Sequence, residues 1–292
     1  MLRTELLETS GAKRGERLHI LIDPILGDPF PELPGKKTPL PVVHDGLREA
    51  HRPYLLRAHI QGELFDQSTS LATQEATRQR EDTPGARSIC GWWFTTASTD
   101  HLAKHLAGHA LLPDANGARL LRYWDPRVMD LLWLMLDATQ HTALMGAASG
   151  LHWAGRDGHL RTLPATTGTH DTRAMLQVTD EQRQCLQQAA HVNGVLDLLQ
   201  DAGHDLTRIE PLHLAYSIRH GGQAWRLTTA REHITYGLYC ALVDEHFDLR
   251  PEVHTAMAAA VRAGDSAIDA LDQFDDAYWS QPHHSAPRTP NP

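Results

Sequence analysis

Cysteine is scarce in this chain, and long apolar runs are missing. The 292 residues include three cysteines, Cys90, Cys185 and Cys240, with no CxxC spacing among them. An odd number of widely spaced cysteines is typical of buried free thiols in a reducing compartment, so we expect no disulfide framework. No apolar run reaches the roughly 18 residues that a membrane span needs. The first residues also lack the apolar core of a signal peptide. These absences predict a cytoplasmic protein.

Common nucleotide-binding and hydrolase motifs are missing as well. Residues 35–38, GKKT, resemble the end of a phosphate-binding loop, but Phe30 and Lys37 stand where that motif needs glycine and serine or threonine. There is no GxGxxG motif, and GAASG at 146–150 is not the nucleophile elbow GxSxG. The formal net charge is −9, which is not typical of a surface that binds nucleic-acid phosphates. We therefore expect no nucleic-acid partner.

Hydrophobic patterning divides the chain into two parts. Short apolar segments in the first part predict strands at 18–23, 54–60, 88–96 and 118–124 and a hairpin at 151–163. After about residue 175 the pattern is helical. The predicted fold class is an α/β (α+β) N-terminal lobe with a mixed sheet, residues 1–172, followed by a mainly α-helical C-terminal lobe, residues 176–280. Residues 281–292 form a proline-rich tail that we expect to be disordered.

Capping residues predict where several helices begin. Ser98 can cap a helix that Gly108 ends, and Asp125 with Pro126 can open a helix over 126–138. In the C-terminal lobe, capping boxes start at Thr179 and Thr229. The expected C-terminal helices are one from Thr179 to near Gly203, one from Thr229, one from Pro251 to Gly264 and one over 266–278.

Histidine is abundant, with 20 residues. His101, His105 and His109 recur every four positions, so that on an ideal helix they share one side and could bind zinc or nickel. However, the helix is expected to end at Gly108, and no acidic third ligand is nearby. We favour a solvated helix face and keep a metal site as the alternative.

The segment RYWDPR joins the predicted strand at 118–124 to the predicted helix. A carboxylate at Asp125 is stabilised by the free N–H groups and the dipole of the helix N-terminus, which depresses its pKa and makes it a poor general base. Arg122 and Arg127 can form paired hydrogen bonds with it or with backbone carbonyls. We interpret the cluster first as a structural lock between strand and helix. The alternatives are a site where one arginine holds an acidic group of a partner and, least favoured, a catalytic site.

This segment also carries a resemblance to a known family. It resembles a signature of the adaptor (chaperone) domain of bacterial type VI secretion systems, which was long known only as a domain of unknown function. The matching hexad is Arg122, Tyr123, Trp124, Asp125, Pro126 and Arg127. Supporting matches are WWFTTASTDHLAKHLAGH at 92–109, LHILID at 18–23, RPYLLRA at 52–58, Gln140 and the Trp153 hairpin. The resemblance covers roughly residues 18–165, and the long polar segment at 66–87 departs from it.

The resemblance implies a non-enzymatic role without a cofactor. Such adaptors bind a toxic effector protein in the cytoplasm of the producing cell and help to load it onto the VgrG spike. The implied partners are thus an effector and VgrG, with no nucleic acid and no membrane. A crevice between two lobes suits partner binding, and an apolar groove between helices suits an amphipathic segment. The alternatives are a metal-dependent enzyme that uses His101 and His105, and an immunity protein that binds a toxin.

Overall fold

A computed structural model describes residues 2–9, 15–77, 85, 87–114, 117–164 and 175–281. Its contacts divide the chain into two units, residues 1–178 and 179–292. All the described strands lie in the first unit, and the described regular elements of the second unit are helices. The predicted fold class, an α+β lobe followed by a mainly helical lobe, is confirmed. None of the helices in the described part of the chain has both the length and the apolar character needed to cross a bilayer.

The first unit is built on a central sheet. The described strands are β1 (Arg17–Ile22), β2 (Lys37–Pro39), β3 (Tyr54–Ala58), β4 (Ile89–Thr95), β5 (Leu111–Asp114), β6 (Gly117–Leu120), β7 (Ala148–Ala154) and β8 (Leu160–Pro164). Six of them form one sheet in the order β2-β3-β1-β4-β7-β8, and β5 and β6 form a separate hairpin. Strands β1 and β4 lie in the middle of the sheet, which explains why they are continuously apolar rather than alternating.

The described strand pairs of the six-stranded sheet are all antiparallel. The expectation of a mixed sheet is therefore wrong, although the fold class is correct. Helix α2 (Glu63–Ala76) does connect β3 to β4, and these two strands run in the same direction. However, β1 lies between them and pairs antiparallel with both. A crossover helix sets the direction of the strands that it joins, but it does not exclude a third strand between them.

Helices cover both faces of this sheet. In addition to α2, the first unit contains α1 (Leu2–Thr9), α3 (Thr99–Gly108), α4 (Pro126–Met135) and α5 (Ala138–Met145). Helices α1 and α2 pack on one face, where Trp92 of β4 donates its indole N–H to the hydroxyl of Ser68 at 3.0 Å. Helix α4 packs on the other face, where Trp153 of β7 donates to Oδ1 of Asp130 at 2.7 Å.

The predicted strand at 118–124 is too long by four residues. Strand β6 ends at Leu120, and the backbone N–H of Asp125 instead closes a turn on the carbonyl of Arg122 at 3.1 Å. The hydrophobic pattern did not predict β5, which pairs with β6 in a hairpin outside the main sheet. The apolar residues that follow β6 are buried in the core as parts of a turn, and not as strand residues.

The predicted helix at 126–138 is shorter than expected and is followed by a second helix. Helix α4 ends at Met135. Asp137 then forms a capping box with Gln140, which opens α5. The predicted N-cap at Asp125 with Pro126 at the first helical position is confirmed, and so is the Ser98 cap of α3.

The second unit is a set of helices around its own core. Its helices are α6 (Asp180–Leu186), α7 (Ala189–Asp201), α8 (Pro211–Ala224), α9 (Ala230–Leu242), α10 (Pro251–Ala263) and α11 (Asp276–Trp279). Phe247, Val253 and Met257 are fully buried at the centre of a cluster that includes Trp225 and Tyr236.

Local signals in the second unit are confirmed, but two helix lengths are wrong. The capping boxes at Thr179 and Thr229 both form, and Gly264 ends α10 in the left-handed region with φ 85°. The single helix expected from Thr179 is split at 187–188 into α6 and α7. The helix expected at 266–278 is a short 3₁₀ segment followed by α11, and α8 was not predicted at all. Except for Gln281, the predicted disordered tail lies outside the described residues.

Candidate functional site

Asp23 is the residue around which the hexad is arranged. It follows β1 directly, and its backbone N–H donates to the carbonyl of Ser88 at 2.9 Å. Its Oδ1 accepts from the backbone N–H of Ile25 at 3.0 Å, which stabilises the turn after the strand. Only 4% of Asp23 is exposed. A buried carboxylate is costly unless charged or polar donors satisfy it, and the hexad supplies them.

Two hexad side chains donate to the other oxygen of Asp23. Nη2 of Arg122 and Nε1 of Trp124 both lie 2.7 Å from Oδ2. Trp124 is buried, whereas 36% of the Arg122 side chain is exposed. The hexad is therefore joined to the end of β1 by a charged hydrogen bond and an indole hydrogen bond.

Asp125 forms a second carboxylate centre within the hexad. Oδ1 accepts from the backbone N–H and from Nε of Arg127, both at 3.0 Å, and Oδ2 accepts from Nη2 of Arg127 at 2.7 Å. Burial alone would raise the pKa of Asp125, but these hydrogen bonds and the charge of Arg127 outweigh it and lower the pKa. The predicted cap and depressed pKa are both confirmed. The predicted partner is correct for Arg127, while Arg122 pairs with Asp23 instead.

The hexad also contacts helix α3 through Tyr123. Its hydroxyl donates to the carbonyl of Leu106 at 2.7 Å, near the C-terminal end of the helix. Tyr123 is fully buried, and its ring packs edge-on against Trp124 with the centroids 5.7 Å apart. The same carbonyl also accepts from the backbone N–H of His109 at 3.3 Å, and the hydroxyl adds a shorter hydrogen bond at this end of the helix.

Two further carboxylates near these elements, the buried Glu75 and the half-buried Asp130, were not predicted. Glu75 of α2 accepts from the backbone N–H groups of Ser88 and Ile89, at 2.8 and 3.3 Å, and so fixes the start of β4. Asp130 of α4 accepts from the indole of Trp153, and burial raises its pKa. The only sequence signal for Asp130 is that it interrupts an apolar helix. Glu75 has no such signal.

The histidines of α3 do not form the solvated face that the sequence favoured. His101 is exposed, but His109 is buried and His105 is half-buried. Nε2 of His105 lies 2.9 Å from the carbonyl oxygen of Leu144, and the Nε2 atoms of His105 and His109 are 3.2 Å apart. Nδ1 of His109 accepts from the backbone N–H of Leu176 at 3.1 Å.

These contacts change how the histidine repeat is interpreted. Burial, followed by the charge of His105, lowers the pKa of His109 to about 3, so its ring is neutral at pH 7. Within the described residues, no group of three or more His, Cys, Asp or Glu side chains could hold a metal ion. His105 and His109 thus connect α3 to α5 and to the segment that precedes the second unit.

The three cysteines of the described chain are free. Cys90 and Cys185 are buried as expected, and Cys240 is half-buried. Burial raises the pKa of all three thiols, which makes them poor nucleophiles at neutral pH. Both carboxylates that contact the hexad already accept three or more hydrogen bonds. The arrangement can hold elements together and present a guanidinium, and it leaves little capacity for proton transfer.

The hexad hydrogen-bonds to Asp23 near the beginning of the first unit and to Gly85 and Leu106 in its middle. The model of a domain of unknown function, DUF4123, matches residues 46–143. The DUF4123 segment contains the whole hexad and helices α2 to α4, but it does not include Asp23, β1 or the second unit. No curated protein matches the chain, and no solved structure does.

Proposed function

We propose that this protein is a cytoplasmic adaptor that binds a toxic effector and helps to load it onto the VgrG spike of a type VI secretion system, without catalysing a reaction. The observation that carries the proposal is the hexad at 122–127 with its flanks. It resembles the signature of that adaptor family, and it lies inside the segment that the DUF4123 model matches.

The geometry of the hexad supports a scaffold role. Asp125 serves as a helix cap with a lowered pKa and accepts a guanidinium through both oxygens. Asp23 is buried and receives Arg122 and Trp124. A carboxylate that accepts several hydrogen bonds in this way orients the groups around it, and the lowered pKa of Asp125 makes that residue a poor general base.

Arg122 is the hexad residue best suited to contact a partner. One nitrogen of its guanidinium donates to Asp23, and 36% of the side chain is exposed. Arg127 is more enclosed, with 19% of its side chain exposed and Nη1 3.4 Å from the carbonyl oxygen of Gly85. An arginine that is held through Nη2 and is partly exposed can form a charge-assisted hydrogen bond with an acidic group of the effector.

Co-purification tests the proposal. The tagged protein should retain the product of a neighbouring effector gene, and deleting its gene should abolish secretion of that effector. An effector that is equally soluble and equally secreted without this protein would contradict the proposal. Expression of this protein in a cell that makes the active toxin distinguishes an adaptor from an immunity protein. An immunity protein should protect that cell, whereas an adaptor alone should not.

A matched pair of variants tests the role of Arg122. Arg122→Gln should weaken effector retention at least fivefold, because the charge is lost at the exposed guanidinium. Arg48→Gln removes the same charge from an exposed position in the first unit and should leave retention unchanged. If both variants retain the effector equally well, Arg122 has a structural role and does not contact the effector.

A further inference from the structure

A polar groove lies within the second unit, between α8 and the segment that follows α9. Its two parts enclose about 250 and 310 Å³ and share His213, Ser217 and Glu245 as lining residues. Tyr236 and Asp248 line the second part. The hexad belongs to the other unit and takes no part in this groove.

The carboxylate of Glu245 is held at the centre of the groove through one oxygen. Oε1 lies 2.7 Å from Nε2 of His213 and 3.2 Å from the hydroxyl of Ser217. In the described part of the chain, no donor reaches Oε2. The side chain is 37% exposed, so a ligand can reach it.

Asp248 supplies a second carboxylate, and it is almost completely buried. Only 4% of the residue is exposed, although it lines the groove. The indole of Trp225 and the hydroxyl of Tyr236 both donate to Oδ2, at 2.8 and 3.0 Å. Oδ1 receives no hydrogen bond from the described residues. A buried carboxylate that retains an unused oxygen is a strong acceptor for a cationic donor.

The charge of the second unit favours a cationic ligand. Residues 179–292 contain 16 Asp and Glu, eight Arg and no Lys, so this unit carries a formal charge of −8 out of the −9 of the whole chain. Two arginines line the groove, but Arg219 lies over the ring of Tyr216 and donates to Gln184 of α6. Arg208 lies at the far end, where Glu210 also lines the groove.

We propose that this groove binds an arginine or lysine side chain of a partner protein, which Glu245 and Asp248 receive as a pair of carboxylates. The groove is an open surface feature and suits a side chain that projects from a polypeptide. The proposal does not depend on the adaptor role, because it concerns a different unit and different residues.

Peptide binding to the full-length protein tests the proposal. The probes are three capped peptides of five residues, each with glycines around two test residues. The test residues are arginine in the first peptide, lysine in the second and citrulline in the third. Free spermidine is a control for binding of a small cation that is not part of a polypeptide. Binding is followed by NMR on the indole N–H of Trp225, which donates to Asp248. We expect the arginine or the lysine peptide to shift this signal. Its dissociation constant should be at least tenfold lower than that of the uncharged citrulline peptide.

Two variants show whether the binding depends on this groove. Glu245→Gln should weaken binding of the cationic peptide at least tenfold. Asp265→Asn removes the same charge from an exposed position after α10 and should change binding less than twofold. Equal losses in the two variants, equal binding of the citrulline peptide, no binding of either cationic peptide, or tighter binding of spermidine than of the peptides would each overturn the proposal.

Discussion

The guanidinium of Arg122 donates to Oδ2 of Asp23 at 2.7 Å, across 99 residues of chain. This contact joins the end of β1 to the turn before α4. Removal of the Asp23 carboxylate leaves the buried indole N–H of Trp124 without its acceptor, whereas the partly exposed Arg122 can be solvated by water.

We expect Asp23→Ala to lower the free energy of unfolding by about 2 kcal/mol, mainly because the buried indole N–H of Trp124 and the backbone N–H of Ile25 lose their acceptors. Asp66→Ala is the matched control, because Asp66 pairs with Arg3 at the surface with both side chains 45% exposed. This control should cost less than about 1 kcal/mol. Urea unfolding at pH 7 measures both, and similar losses would show that the Asp23 contact does not stabilise the fold.

The cap at Asp125 should contribute more than an ordinary helix cap. Asp125→Ala removes the cap and both hydrogen bonds from the Arg127 guanidinium, so we expect a loss of about 2 kcal/mol or more. Asp137→Ala removes the cap of α5 at an exposed position and should cost about 1 kcal/mol. Equal losses would mean that the guanidinium adds nothing to the cap.

The lowered pKa of Asp125 predicts an acid-sensitive contribution to stability. Because the carboxyl binds its proton more weakly in the folded protein, its contribution is complete above the unfolded value, about 3.9, and is lost as the pH falls through the lower folded value. The stability difference between wild type and Asp125→Asn should therefore be constant from pH 6 to about 5 and shrink below about pH 4. A difference that grows on acidification contradicts this.

His109 should make the protein less stable in mild acid. Its pKa is about 3 in the folded state, because of burial and then the charge of His105, and about 6.5 when unfolded. Between these values the unfolded chain binds the extra proton, so stability falls as the pH falls, by at most about 1.4 kcal/mol per pH unit. His109→Gln should give a shallower slope from pH 6 to 4. Identical slopes in the wild type and in His109→Gln would refute the assignment.

Arg127 and Arg122 should differ in how they affect partner binding. Arg127→Ala should reduce effector retention only in proportion to the folded fraction, since its guanidinium is occupied with Asp125. Arg122→Gln should reduce retention beyond any loss of stability. Thermal melting measured alongside retention separates the two cases. Unchanged melting with lost binding in Arg127→Ala would make that residue the partner contact.

The sequence predicted features that depend on a few neighbouring residues. The caps at Ser98, Asp125, Thr179 and Thr229 were correct because a cap is determined within one turn of helix. Strands β1, β3 and β4 were also found, since each is a short apolar run between turn residues.

Contacts between distant segments could not be predicted in the same way. Asp23 is an ordinary aspartate after a strand until the sheet order brings it next to Arg122 and Trp124. The spacing of His105 and His109 suggested a shared helix side, but their partners come from α5 and the segment at 175–178. The antiparallel sheet was missed for the same reason, because a sequence pattern does not show which strands are neighbours.

The order of the strands has a consequence during translation. Strand β4 is completed at Thr95, but its second neighbour β7 begins only at Ala148, roughly 50 residues later. At synthesis rates of about 5–20 residues per second, several seconds pass between completion of β4 and synthesis of β7. During this time one edge of β4 has no partner strand. Until β7 is made, this edge of β4 presents unpaired backbone groups with which a strand of another chain can pair.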